Sequence, residues 1–150
     1  MPRKLNIDAV QVLNILHLRG LLKDWEIIEI KNMNEQQVAN TLKECAIFMS
    51  FNHREGFGMP PAEAMNCGCL VVGYAGQGGN EYMLPEFSFK VGQRNIRDYV
   101  DKMEQAMLLF ENNPDLAKEM GLKASQFIQS KYSMKQEEES IVHVWNNILS

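Results

Sequence analysis

Apolar positions along this chain alternate between helical spacing and short uninterrupted runs, and the punctuation between them sets out the elements. Spacing of apolar residues predicts a first helix over residues 9–19, with Asp8 as its cap, Gln11 three positions on, and Gly20 as a left-handed stop. Residues 25–30 follow, where Ile27, Ile28 and Ile30 form a β-branched run suited to a buried strand. Asn34 opens a second helix that reaches Cys45, with Val38, Leu42 and Cys45 on one face. Residues 47–51 read as the next strand. A loop with Gly56, Gly58 and two prolines comes after it, and Pro60 is placed for the first position of a third helix that ends at Gly68. Leu70, Val71 and Val72 make another strand, the cluster Gly76-Gln77-Gly78-Gly79 follows, and residues 87–91 are a fourth apolar stretch. Ile96, Val100, Met103, Met107 and Phe110 then recur at helical spacing. Asn113 with Pro114 caps a further helix bearing Leu116, Met120, Phe127 and Ile128, and Ser133 with Gln136 forms a capping-box pattern ahead of a last one.

Short apolar strands separated by helices of ten or more residues require crossover connections, so the predicted class is α/β: a Rossmann-like three-layer sandwich whose mainly parallel sheet is covered on both faces. Ligands in such sheets bind outside the carboxyl ends of the strands, and both glycine clusters fall there. The 150 residues suffice for one domain, residues 1–150, and not for a second. A chain of this length buries roughly 70% of its unfolded surface and needs no disulfide or metal staple.

Charge narrows the partners. With 15 basic and 19 acidic side chains the net charge is −4, and no run of Lys or Arg forms a stripe, which disfavours nucleic acid as a partner. The first residues lack a continuous apolar signal region and no later segment has the length of a transmembrane span, so the chain reads as cytoplasmic. Cys45, Cys67 and Cys69 are read as reduced structural thiols, since the single C-x-C has no second pair or nearby His to complete a metal site.

The segment from Glu55 to Glu63 carries the candidate chemistry. An acidic residue leaves the strand, glycines turn the chain, a helix begins, and a second carboxylate is expected in its first turn. A helix start presents backbone N–H groups suited to phosphate, and glycines allow close approach. Carboxylates repel phosphate, so Glu55 and Glu63 are matched to sugar or ribose hydroxyls. Taken singly, Glu63 equally reads as an acidic residue steadying a helix start and Glu55 as a solvated loop residue. As a set they match a ligand with both phosphate and hydroxyls, such as a nucleotide sugar.

The stretch E-G-F-G-M-P-P-A-E-A-M-N-C-G, with its E-x7-E spacing, resembles the signature of retaining GT-B glycosyltransferases of family 4, also called group 1. The resemblance runs on through Leu70-Val71-Val72 and Gly78-Gly79-Asn80-Glu81, and more loosely into the C-terminal helices. It implies the C-terminal, donor-binding half of a GT-B fold, and a reaction that moves a sugar from a nucleotide-diphosphate sugar to an acceptor with retention. It further implies that Glu55 is the catalytic-site carboxylate on the donor sugar, that Gly56, Phe57 and Gly58 offer backbone groups, and that Met59 and Pro60 lie against the diphosphate. Glu63 would hold the ribose. Arg3 and Lys4 would take the family's Arg and Lys role on the leaving diphosphate, the right chemistry for such charge. No cofactor is implied, and no D-x-D pattern calls for a metal.

Two departures stand out. No strand precedes Arg3, and the stretch between Leu5 and Asn34 is short by about one strand and one helix. An N-terminal acceptor-binding domain is missing too, so the chain is expected to be a fragment, inactive alone, of an enzyme for which peripheral membrane association stays open. His53 is placed to reach a donor phosphate or sugar, or to be an ordinary loop histidine; His17 and His143 read as edge and surface residues. Glu81 either nears the donor or favours a following helix. The methionines read as core residues. Alternatives to a transferase are a nucleotide-sugar epimerase of the same architecture and a non-catalytic nucleotide-sugar or protein-binding module.

Overall fold

The computed structural model describes residues 6–54 and 56–149, so Arg3, Lys4 and Glu55 lie outside the described residues. Helices α1 (Asn6–Leu18) and α2 (Glu35–Glu44) precede strand β1 (Ile47–Asn52), helix α3 (Met59–Asn66) joins it to β2 (Leu70–Ala75), and β3 (Ser88–Val91) is followed by α4 (Ile96–Asn112), α5 (Pro114–Tyr132) and α6 (Met134–Leu149). A single turn of 3₁₀ helix spans Gly78–Glu81. The strands lie in the order β1-β2-β3 and both pairs are parallel, with Ile47 beside Leu70 and Val71 beside Ser88. All six residues of β2 are buried, as expected of a central strand covered on both faces.

Two apolar clusters form the outer layers. Ala9, Val12 and Leu16 of α1 join Tyr99, Val100 and Met103 of α4 over one face, against Val72 and Tyr74. On the other face Leu42 of α2, Ala64 and Met65 of α3, and Ala124 and Ile128 of α5 pack on Val71 and Ala75. The predicted three-layer α/β arrangement is therefore present.

Local signals account for most boundaries. Asn34 accepts from the Gln37 N–H at 2.9 Å while the Gln37 side chain accepts from the Asn34 N–H at 2.9 Å, a complete capping box. Gly20 adopts φ 71°, and the bonds Gly20 N to His17 O (2.9 Å) and Leu21 N to Leu16 O (3.1 Å) close α1 in a Schellman motif. The Asn113 side chain caps α5 through the Leu116 N–H at 3.2 Å, with Pro114 in the first turn.

Four expectations need correction. Residues 25–30 form no strand: Ile27 and Ile28 are 54% and 43% exposed, and Trp25 instead sets its ring edge against Phe110 and donates to Glu111 at 3.1 Å. A β-branched run specifies extended backbone, but a strand also needs ladder pairing with a neighbour, and the sheet pairings among the described residues join only β1, β2 and β3. Asp8 lies inside the first turn of α1 rather than at its cap, where it is buried and accepts a hydrogen bond from the Tyr74 hydroxyl at 3.0 Å. Helix α3 begins at Met59, one residue before Pro60, which puts Glu63 beyond the first turn. Methionines are not uniformly core: Met65, Met83, Met103 and Met107 are buried, whereas Met59 and Met134 are 59% and 86% exposed.

Candidate functional site

The carboxyl ends of β1, β2 and β3 meet on one rim, where the loop from β1 into α3 and the loop from β2 into the 3₁₀ turn lie side by side. Gly58 starts α3 from a left-handed conformation, φ 75° and ψ 72°, with no side-chain cap. That conformation suits glycine, and a Cβ there would also collide with the Asn52 amide and stand 3.0 Å from the Tyr82 hydroxyl.

Three contacts hold this loop. The Gly78 N–H donates to Gly56 O at 2.6 Å, and a Cβ on Gly78 would occupy the place of that carbonyl. The buried Tyr82 hydroxyl lies 2.9 Å from Phe57 O and 2.6 Å from Gly58 O, donating its proton to one at a time. Phe57 completes the support by packing its ring on Tyr82 and Tyr132, with centroids 5.1 and 4.8 Å away. The Gly56, Phe57 and Gly58 backbone is thus preorganised by residues about 20 to 75 positions further along the chain.

Of the predicted site residues, Gly56, Phe57, Gly58, Met59 and Pro60 form one continuous rim, with Gly56, Met59 and Pro60 exposed. Glu63 is exposed on α3, five residues past Gly58, or about 7.5 Å along the helix axis. His53 is tied across the rim to the β3–α4 loop, its Nδ1 donating to Gln93 Oε1 at 2.9 Å. An amide oxygen only accepts, so Nδ1 is the donor of this bond. Glu81 accepts from the Tyr132 hydroxyl at 3.3 Å. His17 is exposed in the last turn of α1, and exposed His143 bonds Asn147 at 3.1 Å.

The two prolines alter the expected phosphate cradle. Neither Pro60 nor Pro61 has an N–H, so in the first turn of α3 only Met59 keeps one. The anion-facing donors at this end are therefore the Met59 N–H and the glycine-loop N–H groups, and charge neutralisation falls more heavily on cationic side chains. One further donor lies under the loop: Asn52 Nδ2 is a buried side-chain nitrogen with no hydrogen-bond partner. Among the described residues no group of three or more His, Cys, Asp or Glu side chains is placed to hold a metal ion, and no helix is long and apolar enough to cross a membrane.

Tyr82, Gln93 and Gly78 were not legible as site residues beforehand, apart from Gly78 as part of a glycine cluster at a strand end. Nothing in the local pattern marks Tyr82 as the hydroxyl that holds a loop 25 residues upstream.

A parallel α/β sheet with a glycine-rich loop leading into a helix at its carboxyl rim is of the class of open α/β domains that place ligands at the carboxyl ends of their strands. The family model for glycosyl transferases group 1 matches residues 19–127, most of the chain, and the protein belongs to that family. It is 30% identical over 127 residues to an alpha-1,6-glucosyltransferase of Actinobacillus pleuropneumoniae, across 81% of this chain and 37% of that protein. It is also 24% identical over 136 residues to a trehalose synthase of Pyrococcus horikoshii, across 87% of this chain and 31% of that one. The chain thus spans about a third of the length of these relatives.

Proposed function

We propose that the chain is the donor-binding domain of a glycosyltransferase of the GT-B type, within family 4, that takes a nucleotide-diphosphate sugar and transfers its sugar with retention. The observation that supports this best is the pinned Gly56–Gly58 backbone at the carboxyl end of β1, with the exposed carboxylate of Glu63 about 7.5 Å further along α3. One end of that arrangement offers N–H donors to a diphosphate, and the other accepts from the two ribose hydroxyls.

In this reading Glu55 faces the sugar hydroxyls, while Met59, Pro60 and the glycine loop line the diphosphate. His53, tied to Gln93 through Nδ1, presents Nε2 for a hydrogen bond to a donor sugar hydroxyl or phosphate oxygen. Arg3 and Lys4 supply the cationic charge that the two prolines withhold from the helix start. The bond from the anomeric carbon to the diphosphate oxygen breaks with its electron pair leaving on the diphosphate. The acceptor hydroxyl oxygen bonds that carbon on the same face, and its proton passes to the departing phosphate. Donors that grip the diphosphate more strongly as its charge grows lower the barrier to that step. The acceptor is held by a separate N-terminal domain of a longer, cytoplasmic enzyme, and the 150-residue chain alone binds donor without turning it over.

The test is calorimetry of the 150-residue protein against UDP, GDP and their glucose conjugates, with Glu63→Ala alongside. Binding of a nucleoside diphosphate that weakens about tenfold in Glu63→Ala is expected for loss of hydrogen bonds to a charged acceptor. A folded protein that binds none of the four, or binds with no dependence on Glu63, refutes the reading.

A further inference from the structure

A recess opens on the same rim between the ends of β2 and β3, lined by Ala75 and Gly76 on one side and Val91 and Gly92 on the other. It encloses about 230 Å³, and its polar side chains are Asn80, Lys90 and Gln93. Ligand pockets for drug-sized molecules run to roughly 300–1,000 Å³, so this one suits a smaller group.

The hydrogen bonds around the recess decide what that group is. Asn80 commits both of its N–H donors: its Nδ2 donates to Gly76 O and Gln77 O at 3.3 and 3.1 Å, and its Oδ1 accepts from Lys90 Nζ at 3.2 Å. Gln93 spends its Oε1 on His53 Nδ1, which leaves the amide N–H groups. Lys90 has further N–H donors beyond the one given to Asn80. What remains at this wall is the free N–H donors of Lys90 and of the Gln93 amide beside one spare lone pair on each amide oxygen, and its only full charge is the Lys90 ammonium, whose partner is neutral.

Carboxylates nearby are otherwise engaged. Asp98 accepts from the Gly92 N–H at 3.4 Å, Asp8 is buried between Tyr74 and Arg94, and Glu81 faces Tyr132. No carboxylate lines the recess among the described residues. Neutral sugars bring no charge to answer the Lys90 ammonium; a wall with an ammonium, amide N–H donors and no lining carboxylate suits an oxyanion.

We infer that the recess at Lys90 and Gln93 is an oxyanion subsite, taking a phosphoryl or carboxylate group of a small second ligand, distinct from the donor diphosphate at Gly58. It rests on the donor reading only in making that ligand a second substrate of the same rim. The Gln93–His53 bond joins the two places, so occupancy of the recess fixes the orientation of His53 toward the donor side.

Amide chemical shifts of the ¹⁵N-labelled 150-residue protein, titrated with inorganic phosphate and separately with acetate, test this. Gly76, Gly92 and the Gln93 side-chain amide are expected to shift saturably with one of the two anions, which identifies phosphoryl or carboxylate as the group. Lys90→Met is expected to weaken that binding about tenfold, as does losing one charge-assisted hydrogen bond, and Gln93→Leu to weaken it less. The anion must also still bind when UDP or GDP is saturating. No saturable shift at Gly76 and Gly92, equal binding by Lys90→Met, or displacement of the anion by nucleotide each overturns the inference. Absence of nucleotide binding with the anion response intact refutes the donor reading and leaves the subsite standing.

Discussion

Replacing Gly58 by Ala challenges the central geometric claim, that the loop before α3 is held by contacts beneath it and not by its own sequence. The new Cβ meets two penalties. An alanine at φ 75° costs about 1–2 kcal/mol relative to glycine. The Cβ would also stand 3.0 Å from the Tyr82 hydroxyl and collide with the Asn52 amide, so the hydroxyl that serves Phe57 O and Gly58 O must retreat. A displaced buried hydrogen bond adds about 1 kcal/mol. The expected destabilisation is about 2–3 kcal/mol, or a fall in Tm of about 4–12 °C for a domain of this size. Urea and thermal denaturation followed by circular dichroism measure it on four proteins: the parent, Gly58→Ala, Tyr82→Phe and the double variant. Tyr82→Phe already lacks the hydroxyl, so Gly58→Ala should cost about 1 kcal/mol less in that background. Gly56→Ala serves as the control: its Cβ meets nothing within 4 Å and its φ is not left-handed, so it should stay within about 0.5 kcal/mol of the parent. Equal costs of Gly58→Ala in the two backgrounds would show that Tyr82 does not hold the loop, and a Gly58→Ala protein as stable as the parent would refute the whole account.

Two further outcomes follow from buried groups away from the rim. Asp8→Ala leaves the buried Tyr74 hydroxyl without its acceptor and should cost about 1–3 kcal/mol by urea denaturation. Asp8 also sits 3.8 Å from the exposed Arg94 guanidinium, which adds little; a cost that persists undiminished in a Tyr74→Phe background would contradict the assignment. Burial pushes the Cys69 thiol from its ordinary 9.0 up to about 12, and it raises Cys45 and Cys67 as well. The folded chain therefore keeps the Cys69 proton where the unfolded chain loses it, so this contribution to stability is intact below pH 9 and is lost as pH rises to about 12. Labelling with a thiol-specific disulfide reagent at pH 8 should accordingly leave Cys69 the slowest of the three, its Sγ donating to Leu42 O at 3.0 Å; prompt labelling of Cys69 in the native protein would show that the thiol is open to solvent.

What could be read in advance divides along the range of the interactions involved. Boundaries set by a closed local code were legible: Asn34 with Gln37, Gly20 with the last turn of α1, and Asn113 with Pro114 each satisfy their own backbone groups within a few residues. The parallel pairing of β1 with β2 was legible too, from the helix between them, whereas β2 and β3 are parallel with only the 3₁₀ turn Gly78–Glu81 in their connection, a crossover that no helical spacing announces. Residues 25–30 mark the limit of that logic, since their β-branched residues favour extended chain but strand formation depends on a neighbour. The candidate site falls on both sides of the line. Its rim, Gly56 to Glu63, is contiguous and carries its own signature, so its position at a strand end followed from sequence. Its rigidity does not: Gly78 and Tyr82 reach back more than 20 residues to hold the loop, and Gln93 reaches 40 residues to hold His53. Neither Gly78 nor Tyr82 contacts a ligand in the proposed reaction. The proposed chemistry is thus written locally, while the preorganisation it would draw on is written in residues whose partners only the fold reveals.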